Sequence, residues 1–295
     1  MNLNRYEIFL KVAELGNITR AADVLHYTQA GVSHAVSALE NEVGVPLLVR
    51  GATGVTLTES AKQLLPAIRT LVNDQRSLAQ AIYEINNRVA GTLRLGTFTS
   101  VCVQWLPNII KGFQKKYPDV EFEIKAGDYD ESEEFILSGE VDCGFVIAPA
   151  DKNLRFVPLY RDPMLVLMPK GHPLAEKEFL TLSDLKKEPL IVPVKGYDTE
   201  VHAILKKNSQ KTDIRYSLND DLSVISMVAH GFGISVMAEL ILKESNFDIE
   251  IRPLDPPQYR SIGIASFPPE RVSVLTRTFV NYLAENRGRD FCLPL

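Results

Sequence analysis

Two stretches of the chain carry residue types and spacings that could do chemistry. The first is residues 26–44, HYTQAGVSHAVSALENEVG, where Thr28 is placed to cap a helix. Val32, Val36, Leu39 and Val43 form its apolar stripe. The leading turns present only short or hydrogen-bonding groups: Gln29, Ala30, Ser33, His34 and Ser37. Solubility alone would be served by Lys and Glu, so this face reads as one built for close approach. The second stretch is residues 96–100, GTFTS, where Thr97, Thr99 and Ser100 sit between a strand-like run and a helix. Hydroxyls at a helix start suit an anion such as a carboxylate, although simple helix capping would use them as well.

Other reactive side chains form no constellation. The five histidines, His26, His34, His172, His202 and His230, have no metal-ligand spacing. The glycines at 231 and 233 lack the third glycine of a dinucleotide loop, since Val236 stands there, and read as a tight turn. No phosphate loop or nucleophile elbow is found, so an enzyme is not expected, and neither is a cofactor or metal. Three widely spaced cysteines, Cys102, Cys143 and Cys292, offer no disulfide framework. A reducing cytoplasm is the expected location. No apolar run approaches the roughly 20 residues that span a bilayer.

The elements that must position these groups can be read from periodicity. Leu3, Tyr6, Phe9, Leu10 and Ala13 make one helical stripe closed by Gly16, and Asn17 caps a second short helix carrying Ala21, Ala22 and Leu25. After the third helix ends at Gly44, LLVR, the glycine-bearing GATGV and VTLT read as a two-stranded wing. A long helix follows from Thr58, with Pro66 as a point of kink or break. Its stripe, including Leu64, Ile68, Leu71, Leu78, Ile82 and Ile85, is too long for a small neighbour to cover, which predicts a dimer through paired helices. Beyond Gly91, strand-like and helical runs alternate twice, which predicts two α/β lobes on mostly parallel sheets with a cleft between them.

The order and spacing of these features resemble the LysR-type transcriptional regulators. The resemblance rests on a phenylalanine in the first helix, the double alanine in the second, TQ opening the third, and Val-Ser one turn on. LE, a glycine before PLLVR, and VTLTESAKQLL complete the N-terminal pattern. GTLRLGTF, WLP, FQKKYPDV, SGEVDCGFVI, MPKGHPLA and AHGFGISVMA follow in the family's order. It implies a winged helix-turn-helix (residues 1–58), a dimerising linker helix (59–90) and an effector domain like the periplasmic binding proteins (91–295). Lobe one would span about 91–162 and 267–295, and lobe two about 163–266.

The same resemblance implies a homotetramer built from dimers that binds double-stranded promoter DNA, with RNA polymerase as a further partner. A small co-inducer would sit between the lobes, a carboxylate or an amino-acid-like metabolite. Thr28, Gln29, Ala30, Ser33, His34, Ser37 and Arg50 are then the expected DNA contacts, because short groups let a helix backbone enter a groove about 12 Å wide. Thr97, Thr99, Ser100, Asp128, Ile147, Tyr197 and Thr199 are the expected effector contacts. Asp128 would repel an anion or select a ligand carrying an amine.

Charge is the departure from pattern. Net charge is −5, and residues 1–65 hold five basic against six acidic side chains. His34 stands where the family often has arginine, and the wing reads Gly51, Ala52, Thr53, Gly54 with Arg50 as its clear cation. A gentle salt dependence of DNA binding follows. The peroxide-sensing members carry cysteines where this chain reads VKGYDTEV, so thiol sensing is not expected. The rival to DNA binding is a solute-binding protein fused to a helical domain that no longer touches DNA.

Overall fold

The computed structural model describes residues 3–51, 54–85, 88–194, 199–206, 213–243 and 247–287. The chain forms two compact units, the first of residues 1–87 with 138–140 and the second of the remainder.

The first unit begins with α1 (Leu3–Leu15), α2 (Ile18–Leu25) and α3 (Gln29–Val43). Local signals set each boundary. Gly16 takes φ +60° after α1, Asn17 Oδ1 accepts from the Arg20 N–H at 3.0 Å, and Gly44 closes α3 at φ +78°. Each such side-chain cap contributes about 1 kcal/mol. Ile8 and Val12 of α1 bury against Ala21, Ala22, Val32 and Val36. The two alanines have no bulk to hold the helices apart.

A hairpin of β1 (Leu48–Gly51) and β2 (Gly54–Leu57) follows, then α4 (Glu59–Ile85). The hairpin is docked by backbone: Val55 N–H donates to Gly16 O at 2.8 Å. A Cβ on Gly54 would lie 2.4 Å from that same carbonyl oxygen, and φ there is +143°. Only glycine satisfies both conditions. Helix α4 runs unbroken past Pro66, so of the two expectations there, a kink or a break, the break does not occur. Its first half buries Ala61, Ile68 and Val72 with Tyr6, Phe9, Leu39 and Leu47. Its second half leaves Leu78, Ile82 and Ile85 exposed at 64%, 53% and 81%, one stripe at helical spacing.

The second unit contains β3 (Gly91–Thr97), α5 (Thr99–Gln104), α6 (Leu106–Lys116), β4 (Val120–Ala126), α7 (Tyr129–Leu137) and β5 (Cys143–Ile147). The long β6 (Arg155–Pro169) comes next, then β7 (Leu190–Pro193), α8 (Thr199–Lys206), β8 (Ile214–Leu218), α9 (Asp221–Ala229), β9 (Ser235–Ala238) and α10 (Glu239–Leu242). The long β10 (Ile249–Ser266) and α11 (Val274–Glu285) complete it. Strands β5, β7 and β9 are buried at every position, as apolar runs covered on both faces must be.

One sheet has the order β4-β3-β5-β10-β6-β9, and β7 pairs with β8 in a second. Here the mostly parallel expectation needs correcting. Within the six-stranded sheet β4, β3 and β5 run parallel to one another, while β10 pairs antiparallel with β5 and β6, and β6 with β9; in the second sheet β7 and β8 are parallel. The reason is that β6 and β10 are paired along nearly their whole length and pass together from one lobe to the other. Ile262–Ala265 of β10 pair with β5, whereas Leu165–Leu167 of β6 pair with β9.

Each lobe has its own core. Lobe one packs Trp105, Phe113, Phe145 and Phe279 between sheet and helices. Lobe two packs Val166, Met168, Leu190, Val201, Ile234 and Val236. Burying such side chains stabilises each lobe by about 2 kcal/mol apiece.

Candidate nucleic-acid interface and effector cleft

Helix α3 divides sharply between its two faces. Val32, Val36 and Leu39 are buried in the unit's core. Gln29, Ala30 and His34 are exposed, and Ser33 and Ser37 are half-buried. Thr28, also exposed, caps the helix by accepting the Gly31 N–H at 3.1 Å. The leading turn therefore offers small groups and a helix N-terminus to the outside.

Arg50 joins this face from the wing. Its Nη2 donates to Ser33 Oγ at 3.0 Å, so the wing-base cation and the helix share one hydrogen bond. Glu40 holds the register between them, with Oε1 accepting from Leu47 N–H at 2.8 Å and Leu48 N–H at 3.1 Å. That carboxylate fixes the start of β1 against the later turns of α3. The wing residues Ala52 and Thr53 lie outside the described residues.

In the second unit, Phe98, Thr99, Ser100, Gly127, Asp128, Tyr129 and Asp221 line one small cavity. Lobe one supplies the strand ends and helix starts, and lobe two supplies Asp221 at the first position of α9. The space left between these walls is about 10 Å³, roughly one water. Phe98 and Tyr129 meet edge to face with centroids 4.8 Å apart.

A fully buried ion pair underlies the cavity. Arg260 Nε donates to Asp162 Oδ2 at 2.8 Å, and its Nη2 lies 2.6 Å from the same oxygen. Arg260 Nη2 also donates to Ser100 Oγ at 2.9 Å, and its Nη1 to Tyr129 Oη. Asp162 Oδ1 accepts the Leu240 N–H at 3.0 Å. One guanidinium thus ties two crossing strands to two helix starts.

The acids of the cavity differ in their engagement. Asp128 Oδ1 accepts the Glu131 N–H at 2.7 Å while Glu131 Oε2 accepts the Asp128 N–H at 2.9 Å, a reciprocal cap on α7. Asp128 therefore both lines the cavity and starts a helix. Asp220 caps α9 through the Ser223 N–H at 2.8 Å. Asp221 has no side-chain hydrogen bond among the described residues. Burial pushes its carboxyl above the ordinary carboxylate range and Asp220 adds to this, against the pull of Arg260.

Of the sequence-predicted effector residues, the structure brings Thr99, Ser100 and Asp128 together around this cavity. Thr97 is fully buried at the end of β3, its Oγ1 donating to Phe98 O at 3.4 Å. Ile147 is buried at the end of β5. Thr199 begins α8, and Tyr197 lies outside the described residues. Tyr129, Asp162, Asp221 and Arg260 were not singled out in the sequence. For Asp221 the signal was the NDD run opening α9; for Arg260 no local signal exists.

Cys102 is half-buried on α5, and Cys143 is buried in β5 with its thiol pushed well up by burial and by Asp142, against Arg94. Such a thiol is a poor nucleophile.

Residues 3–62 match the model described as "Bacterial regulatory helix-turn-helix protein, lysR family", and residues 86–288 match "LysR substrate binding domain". The chain belongs to the LysR family. It is a LysR-type transcriptional regulator with an effector-binding domain. Among its relatives, the HTH-type transcriptional regulator YvbU of Bacillus subtilis is 29% identical over 98% of this chain and all of its own. The HTH-type transcriptional activator CmpR of Synechocystis is 27% identical over 95% of this chain and 94% of its own.

Solved structures share the fold of this regulator. A full-length OxyR variant from Pseudomonas aeruginosa has a TM-score of 0.77 at 22% identity, covering 98% of this chain and 95% of its own. The Synechocystis CcmR regulatory domain in complex with 2-PG has a TM-score of 0.62 at 25% identity, covering 68% of this chain and 98% of its own.

Proposed function

We propose that this regulator reads operator DNA with the leading turns of α3, with Arg50 of the wing contacting a phosphate or the minor groove beside it. The observation that carries this reading is the Arg50–Ser33 hydrogen bond, which holds a cation and a hydrogen-bonding helix face as one surface. Gln29 suits an adenine edge or a phosphate, and Thr28, Ala30, Ser33, His34 and Ser37 complete the approach. Two chains pair through the exposed stripe of α4, and the dimers assemble into a homotetramer. The regulator works in the cytoplasm, with RNA polymerase as a further partner.

The effector in this reading is a small acid or amino-acid-like metabolite held between the lobes, with Thr99, Ser100 and Asp128 in contact. Thr97 and Ile147 stand behind it, and Tyr197 and Thr199 are further contacts proposed from the sequence alone. The complex of the CcmR regulatory domain with 2-PG supports an effector domain of this fold taking a small molecule.

The test is retention of the DNA upstream of the regulator's own gene in a gel-shift assay at low salt. Gln29→Ala and Arg50→Ala should weaken retention while leaving the protein folded. Retention no better than that of unrelated DNA would reject the operator role and favour the solute-binding alternative.

A further inference from the structure

Strands β6 and β10 pair without a register shift where they carry the buried ion pair, residues 160–164 lying opposite 258–262. Neighbours along a strand point to opposite faces. Asp162 and Arg260 therefore share one face, where both are buried, and Arg161, Tyr259 and Ser261 share the other. Together with Pro257, Gln258 and Arg260, these three line a groove of about 400 Å³, within the size range of small-molecule sites.

The groove brings donors together without an anion to receive them. The Arg161 guanidinium lies 3.9 Å from the centroid of the Tyr259 ring, a contact that holds it in place without satisfying its N–H groups. Neither those N–H groups nor the Ser261 hydroxyl makes a hydrogen bond or ion pair among the described residues. The chain has 37 acidic residues against 32 basic ones, yet no carboxylate lines this groove. Arg260, the other cation there, is already matched by Asp162.

Water ordinarily satisfies an exposed guanidinium, and exposure alone would leave Arg161 without a role. What sets it apart is a fork steadied on a ring, directly across the strand pair from an unengaged hydroxyl, over a space that can hold a small molecule. Such a fork receives a carboxylate through two parallel hydrogen bonds, and Ser261 can donate a third. One unmatched cation balances the single charge of a carboxylate and not the nearly double charge of a phosphate. Pro257 and Tyr259 supply apolar surface for an organic body. We propose that this groove is a second ligand site, separate from the cleft, which takes a small organic monocarboxylate on Arg161. Its occupant would bear on the same two strands that pass between the lobes.

The experiment is isothermal titration of the full-length protein at constant ionic strength with acetate, hexanoate and benzoate, and with inorganic phosphate beside them. It compares the wild type with Arg161→Gln, Arg161→Lys and Thr99→Trp. Hexanoate or benzoate should bind the wild type more tightly than acetate or phosphate. Arg161→Gln should weaken that carboxylate about ten-fold or more, the loss of one charge-assisted contact. Arg161→Lys keeps the charge but not the fork and should recover only part of the loss. Thr99→Trp, which crowds the cleft from an exposed position, should leave the affinity unchanged. Arg161 is itself exposed, so its variants should fold as the wild type does.

A carboxylate held equally by the wild type and Arg161→Gln would overturn the assignment to Arg161. If Thr99→Trp also lost that binding, the carboxylate would belong to the cleft. Loss in both variants would make groove and cleft one site and overturn their separation. Phosphate as tight as the best carboxylate would overturn the ligand class, and a wild type that binds none of the probes would overturn the proposal as a whole.

Discussion

Arg260 and Asp162 stand directly opposite one another on β10 and β6, and neither side chain has any exposure in the ion pair they form. A buried pair of this kind costs desolvation on both sides, so its presence is weak evidence of a stability gain. Its position is more telling. It lies where two long strands pass between lobes, and from there it holds Ser100 and Tyr129 of the effector cavity.

Removing one partner should therefore be worse than removing both. Arg260→Met leaves Asp162 charged and buried and should cost about 3–5 kcal/mol in urea denaturation. Arg260→Met combined with Asp162→Leu should recover most of that loss. A double variant as unstable as the single one would show that the pair itself, and not the stranded charge, carries the stability.

Arg50 should act as a phosphate contact on all sequences alike. Arg50→Ala should lower affinity for operator and unrelated DNA together and reduce the slope of log affinity against log salt by about 1. The wild-type slope itself should be shallow, because the first 65 residues hold fewer basic than acidic side chains. A slope as steep as that of a strongly basic relative, measured by fluorescence anisotropy, would contradict this.

Two aspartates should move stability with pH in opposite directions. Asp184, held by Lys177 and the Thr181 N–H, has its carboxyl lowered to about 2. Its folded value lies below its unfolded one, so its contribution is present above the ordinary carboxylate range and fades as pH falls toward 2. Asp184→Asn should cost about 1 kcal/mol at neutral pH, since Lys177 is half exposed and screening discounts the shift. Asp221 has the reverse sign. Its raised folded value means the folded chain holds the proton more tightly, so its penalty is fully present at neutral pH and eases as pH falls through the raised value. Denaturation midpoints across pH 3–8 for each Asn variant would check both signs.

The exposed half of α4 should carry self-association. Leu78→Glu with Ile82→Glu places two carboxylates on the stripe and should shift sedimentation equilibrium toward monomer without unfolding the N-terminal unit. An unchanged assembly would move the interface elsewhere.

Cys143 should resist thiol reagents in the native protein and react only on unfolding, since its thiol is buried and its ionisation suppressed. Labelling at native rates would require the β5 strand to open.

How far the sequence was legible depended on the range of the forces involved. The helices and hairpin of the first unit are written in contacts three or four residues apart: Asn17 to Arg20, Thr28 to Gly31, Thr58 to Ala61. Such caps sit beside the periodic stripe they terminate, so both can be read from the residues alone. Pro66 does not break the helix because tertiary packing of Ala61, Ile68 and Val72 outweighs one lost backbone hydrogen bond. The sheet directions misled for another reason: alternating apolar runs predict strands and helices but do not say which strand returns along which.

The residues themselves determined an N-terminal helix-turn-helix with a wing, a long helix with a long apolar stripe, and two α/β lobes. Each follows from local propensity and the period of burial. Only the tertiary structure decided what surrounds the cavity. Arg260 meets Asp162 across 98 residues of chain, Tyr129 across 131 and Ser100 across 160. At such separations a charge finds its partner through the pairing of β6 with β10 and the packing of helix starts above it. No pattern in one stretch of sequence records that meeting.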